Sequence, residues 1–248
     1  RGKYYDEDDL FDAAYKINWP NWFNVKHDFM VKVTGVKCPL KSLEFITLRI
    51  KDAVCDKFRQ AVDSRPYIDT KNPAVRIHAY LTADSYQYYV DTSGNALYQR
   101  GNRKASIEAP LRENLAAGIL YLSGWQAGLP LLDPMCGSGT FLLEAAMMAL
   151  NIAPGLNRSF GFERLKNFES DTWKKIKNKA NKEVQPVVFQ QIYGSDIDSR
   201  AVRAAKQNLT EAGLMDAVKL NEVYFIEILP PTDHGILVAN PPYGVRIG

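Results

Sequence analysis

Three cysteines in 248 residues, Cys38, Cys55 and Cys136, stand too far apart to form a disulfide framework or paired metal ligands. The three histidines, His27, His78 and His234, are equally scattered, so neither a metal nor a His-based catalytic constellation is expected. No apolar run approaches the ~20 residues of a membrane span, and the opening Arg1-Gly2-Lys3-Tyr4-Tyr5 does not resemble a secretory leader. These absences predict a cytoplasmic protein with no membrane and no metal partner. Internal repeats and low-complexity tracts are also missing.

Hydrophobic residues make up 46% of the chain and charged residues 24%, ordinary globular usage with enough apolar surface for one large core or two smaller ones. The net charge is only +3. Residues 1–110 hold 17 lysines and arginines against 14 carboxylates, and residues 111–248 hold 14 against 14, so the whole excess lies in the first part. A polyanion partner and a merely solvated surface both account for it.

The first 104 residues read as mixed α and β. His27 to Thr34 alternates like a strand, Ser42 to Ala61 carries Leu43, Ile46, Ile50, Val54 and Phe58 near helical spacing, and Val75–Leu81 with Tyr86–Asp91 read as a hairpin. Past Arg100, Arg103 and Lys104 a helix is expected around Pro110 to Ser123, with Leu111, Leu115, Ile119 and Leu122 on one side. The domain boundary is placed near 104.

From Leu129 strands and helices alternate, the pattern of a parallel sheet covered on both faces. Strands are expected at 130–133, 192–196, 218–223 and 235–239, with helices at 140–150 and 199–212, the second ended by Gly213. Asn151 to Gln185 reads as an insertion. Its Lys174, Lys175, Lys177 and Lys179 read first as a solvated helix face, with RNA contact as the alternative.

In an open parallel sheet, ligands bind beyond the carboxyl ends of the strands. At the first end, Asp133-Pro134-Met135-Cys136-Gly137-Ser138-Gly139 lets backbone approach a ligand with no Cβ in the way. Thr140-Phe141-Leu142 follows in place of a third glycine, and no Gly-Lys-Ser/Thr occurs, which disfavours a dinucleotide and a Walker phosphate loop. Asp196 ends the next strand and suits a ribose. Asn240-Pro241-Pro242-Tyr243 ends the fourth: the Asn240 side-chain oxygen and the Pro241 carbonyl can each accept one N–H of an exocyclic amine while Tyr243 stacks on the base. A polar turn is the plain alternative for this tetrapeptide.

Asp133 to Thr140, Gly194-Ser195-Asp196-Ile197-Asp198 and Asn240 to Gly244 together resemble the class I methyltransferases of the THUMP-containing large-subunit ribosomal RNA guanine-N2 group, often labelled N6-adenine-specific DNA methylases. Lys51-Asp52-Ala53-Val54 and Asp91 to Gly101 resemble the THUMP half. The resemblance implies an α/β fold: a Rossmann-like class I methyltransferase sheet over 105–248, preceded by an α+β THUMP-like RNA-binding domain over 1–104. It implies S-adenosylmethionine as cofactor, held by Asp133, Met135, Cys136, Gly137, Ser138, Gly139, Asp196 and Ile197, and catalysis at Asn240, Pro241, Pro242 and Tyr243. Ribosomal RNA of the large subunit is the implied partner, and the basic residues of the first half, Arg49, Lys51, Arg76, Arg100, Arg103 and Lys104, are expected to contact its phosphates. Relatives carry an acidic residue near the third strand end where this chain has Tyr224. Against that family both ends look clipped, with three strands expected after Asn240, and the stretch by itself is expected to bind cofactor weakly or not at all and to have little activity. A DNA adenine-N6 enzyme, a glutamine methyltransferase and an RNA-binding module with an inert methyltransferase half remain alternatives.

Overall fold

The computed structural model describes residues 1–100 and 111–241. They form two compact units, one from Arg1–Ala96 with Ser159–Ser170, the other from the described residues within Leu97–Arg158 and Asp171–Gly248. The expected boundary at 104 lies outside the described residues. Among these residues no helix is long and apolar enough to cross a membrane.

In the first unit, β1 (Gly2–Lys3) is followed by α1 (Glu7–Tyr15), β2 (Phe29–Gly35), α2 (Leu43–Val62), β3 (Val75–Leu81) and β4 (Ser85–Val90). The sheet order is β1-β4-β3-β2. The hairpin β3–β4 is antiparallel, and β2 runs parallel to β3 because the chain crosses over through α2. Ser42 caps that helix, its Oγ accepting from Phe45 N at 3.1 Å, and Ile46, Ile50, Val54 and Phe58 bury its inner face against Phe29, Val75 and Ile77. α1 carries no strong sequence signal except its cap, Asp6, whose side chain accepts from Asp8 N and Asp9 N.

Part of the expected insertion belongs to this unit. Leu165 bridges Phe23, Lys166 N donates to Trp22 O at 2.8 Å, and Phe162 N donates to Thr92 O at 3.0 Å. The receiving turn is Asp91 to Asn95: Asp91 Oδ1 accepts from Ser93 N and Gly94 N, and Arg76 Nη2 donates to Asn95 Oδ1 at 3.1 Å. Phe160 stacks on Phe162 at 5.3 Å, with Phe168 beyond.

The second unit contains α3 (Glu113–Leu122), β5 (Leu131–Asp133), α4 (Thr140–Ala149), α5 (Ser170–Lys182), β6 (Ile192–Asp196), α6 (Ser199–Glu211), β7 (Val218–Glu222) and β8 (Ile236–Leu237). Every pairing in its sheet is parallel, in the order β7-β6-β5-β8. The expected strands and helices are thus present, β8 shorter than read from sequence. One expectation needs correcting: Leu115 and Leu122 of α3 are exposed, and Glu113, Ala116 and Leu120 are the buried positions. Two apolar stripes overlap on this helix, and the one containing the small Ala116 fits the tight packing against α4. Pro110 lies outside the described residues.

Gly161 meets the Asp91 turn so closely that an added Cβ would lie 2.6 Å from Asp91 O. Gly161→Ala should therefore destabilise the first unit by about 1–3 kcal/mol, the usual cost of overpacking. An unchanged urea midpoint would show that the segment does not dock there.

Candidate nucleotide-cofactor and amine site

The sheet order places β5 beside both β6 and β8, so the strand order reverses at β5, the place where open parallel sheets bind ligands in a crevice beyond the carboxyl ends. The glycine turn fills the end of β5. Gly137 and Gly139 have φ of +54° and +80°, conformations that L side chains rarely adopt. At Gly139 a Cβ would also sit 3.1 Å from that of Ala205 on α6. The small pair lets α6 press against the start of α4, whose residues Thr140 to Met147 are all buried.

Several backbone bonds hold the turn. Cys136 N donates to Ser195 O at 2.8 Å and Gly139 N to Cys136 O at 2.8 Å. Gly137 N donates to Asp196 Oδ2 at 2.9 Å, tying the end of β5 to the end of β6. The other Asp196 oxygen accepts from Asp198 N at 2.9 Å. From α6, the fully buried Asn208 donates its Nδ2 to Ser138 O at 3.0 Å. Sequence reasoning overlooked Asn208. Its signal was an amide at the third place of the otherwise apolar buried series Ala201, Ala205, Asn208 and Leu209.

Asp133 is 1% exposed and accepts from Met135 N at 3.2 Å. Burial raises its carboxyl to about 7, against the pull of the Met135 bond and with a further push from Asp196. Burial likewise drives the Cys136 thiol well above its ordinary range, so it is not a nucleophile at neutral pH. Met135 and Asp196 are half-buried, Ser138 is buried and Ile197 is 65% exposed.

Asn240 follows β8 and, like Pro241, is half-buried. The strand that it follows is paired directly with β5, since Leu132 pairs with Leu237 and Val238 N donates to Leu132 O at 3.0 Å. Pro242 and Tyr243 lie outside the described residues. At the end of β7, Val223 N donates to Asp196 O at 3.2 Å, and Tyr224 and Phe225 follow with their rings edge to face at 5.2 Å.

Of the basic residues expected at RNA phosphates, those described each have a partner close by. Arg49 pairs with Asp8 and lies over Phe11, Lys51 is 2.7 Å from Asp52, and Arg76 holds Asn95. Arg100 Nε lies 2.8 Å from Glu144 Oε1, a carboxyl that burial raises to about 7 despite the cation. Arg103 and Lys104 lie outside the described residues. Among the described residues no group of three or more His, Cys, Asp or Glu is placed to hold a metal ion.

Comparison with known proteins supplies the family context. Residues 100–248 match the RMKL-like methyltransferase domain family, and residues 4–91 match the THUMP domain. The chain is 40% identical to the ribosomal RNA large subunit methyltransferase K/L of Psychromonas ingrahamii and 41% identical to that of Shewanella baltica, over 99% and 100% of its own length. It spans about a third of these relatives, 34% and 36%. Among solved structures, SMU.472, a methyltransferase candidate complexed with SAH, superposes with a TM-score of 0.87 at 34% identity, covering 99% of this chain and 66% of that one. A possible methylase from Clostridium difficile gives 0.85 at 32%, covering 99% and 65%.

Asp133 and Glu144 hold protons more tightly folded than unfolded, so folding takes up protons between the ordinary carboxylate range and about pH 7. Stability contributed by the neutral carboxyls is therefore lost as pH rises through that window, and levels off above it. Asp133→Asn, which cannot titrate, should make this fall shallower when urea unfolding is compared at pH 5 and pH 8. Equal pH dependence in the variant and the parent would place the Asp133 carboxyl in the ordinary range.

Proposed function

The chain belongs to the RMKL-like methyltransferase family with a THUMP domain ahead of the methyltransferase domain, and from that premise we propose that it transfers a methyl group from S-adenosylmethionine to an exocyclic nucleobase amine, guanine N2 of large-subunit ribosomal RNA. The observation that carries this reading is the adjacency of the glycine turn on β5 and Asn240 after β8, two neighbouring strand ends with complementary chemistry. In this proposal residues 1–104 form the RNA-binding half, residues 105–248 form the catalytic half, and the reaction takes place in the cytoplasm.

The residues present fit the cofactor. A cradle that side chains would obstruct suits the methionine portion, along Asp133, Met135, Cys136, Gly137, Ser138 and Gly139. The positive end of α4 favours its carboxylate, and Asp133 its cationic groups. Asp196, fixed by two backbone N–H groups yet with lone pairs left over, accepts from the ribose hydroxyls, and the exposed Ile197 beside it offers an apolar contact. When bound, S-adenosylmethionine supplies an activated methyl on a sulfonium.

Asn240 and Pro241 hold the acceptor. Their two oxygens accept the in-plane amine protons, which orients the nitrogen lone pair toward the methyl and raises its nucleophilicity; Pro242 stiffens the loop and Tyr243 stacks on the base. Positioning is the main catalytic device, and the amine proton leaves to water without a general base. Arg76, whose partner is the neutral Asn95 amide, is the first candidate for phosphate contact, together with Arg103 and Lys104; Arg49, Lys51 and Arg100 already face carboxylates.

Asp196→Ala should weaken S-adenosylmethionine binding by about 1–3 kcal/mol, because it strands polar groups, whereas Asn240→Ala should leave cofactor affinity intact and abolish turnover. Calorimetric titration beside a single-turnover assay separates the two. An Asp196 variant with parental affinity, or an Asn240 variant with parental turnover, would remove that residue from its role.

A further inference from the structure

α5 has a charge pattern that the catalytic crevice does not use. Residues 170–182 contain five lysines and one aspartate, and not one of its residues is buried. Residues 111–248 balance at 14 basic against 14 acidic, so the remainder of that half holds nine basic and 13 acidic residues. A cationic helix therefore stands against an acidic remainder.

The lysines are also arranged. Lys175, Lys179 and Lys182 fall at i, i+4 and i+7, within one narrow stripe, at axial steps of about 6 and 4.5 Å. All three are exposed, and none has an ion-pair partner among the described residues; the ion pair on this helix is Lys174 Nζ with Asp171 at 3.6 Å. On the opposite side, half-buried Trp173 carries Lys177 over its ring at 5.6 Å, and Ile176, on the flank, is 53% exposed. Like charges at i,i+3 and i,i+4 disfavour a helix, and here no buried apolar face compensates. A row of anions lying along the stripe would remove the repulsion.

The geometry points to α5 as a second nucleic-acid contact, in which Lys175, Lys179 and Lys182 track the RNA phosphate backbone. Duplex nucleic acid carries about one negative charge per 1.7 Å of axis, dense enough to meet all three lysines over one helix face. A three-point contact of this kind adds affinity without reading sequence, while base choice stays with the Asn240 loop. This inference rests on the proposed RNA substrate and extends it from the THUMP half to the catalytic half.

The test compares the parent protein, the triple variant Lys175→Gln/Lys179→Gln/Lys182→Gln and the corresponding triple Lys→Arg variant. Binding to a large-subunit ribosomal RNA transcript is measured from 50 to 300 mM salt, with S-adenosylhomocysteine titration and circular dichroism as controls. The Gln variant should bind RNA about tenfold more weakly, with a log-affinity slope against log salt shallower by about two, while the Arg variant behaves as the parent and cofactor affinity is unchanged in all three. Parental RNA affinity and slope in the Gln variant would overturn the role of α5 and leave the RNA reading standing. A parent that binds S-adenosylhomocysteine but no RNA would defeat the RNA reading and this inference with it. Capture by phosphatidylserine vesicles that depends on the three lysines, with RNA binding unaffected, would reassign the stripe to a membrane surface and likewise overturn it.

Discussion

A turn at the end of a parallel strand must satisfy two opposed demands in this protein. It has to pack tightly, because α4 behind it is buried along nearly its whole length and α6 closes on it through Ala205. It also has to leave bare backbone facing the crevice. Glycine at 137 and 139 resolves the conflict, and the hydrogen bonds from Gly137 to Asp196 and from Asn208 to Ser138 fix the result. The burial of Asp133, the tie between β5 and β6 and the position of α4 all follow from that turn.

Much of this was legible in the sequence. The parallel strands appear as short apolar runs ending in Asp133, Asp196 and Asn240, because a strand buried on both faces has little freedom in composition. The helix starting at Thr140 is as clear, being apolar all round and buried all round. Where two buried faces compete, periodicity fails: α3 offers Leu115, Ile119 and Leu122 on one side and Ala116 and Leu120 on another, and only the neighbouring helix decides. The fate of 159–170 was equally hidden. Its Phe160, Phe162 and Phe168 look like ordinary loop aromatics until the Asp91 turn that receives them is in place. Such long-range pairings leave no local pattern to read.

Charge was the least legible property. A net +3 spread over 248 residues says little about a partner, and the apparent neutrality of residues 111–248 conceals a cationic helix on an acidic remainder. Several of the basic residues singled out in the first half also prove to be engaged: Arg49 faces Asp8, and Arg76 supports the turn at Asn95. A sequence count records charges, whereas electrostatic recognition depends on which of them remain unneutralised on one face.

The central claim is that Asn240 and Pro241 present an exocyclic amine of RNA to a methyl donor held on the β5 turn. Its most direct measurement is transfer of labelled methyl from S-adenosylmethionine to three acceptors in parallel: unmodified large-subunit ribosomal RNA, duplex DNA and glutamine-containing peptides, followed by nuclease digestion and mass spectrometry of the labelled product. The account predicts label in the ribosomal RNA alone, recovered as N2-methylguanosine. Label recovered as N6-methyladenine in DNA, or on the peptide, with none in the RNA, would contradict it.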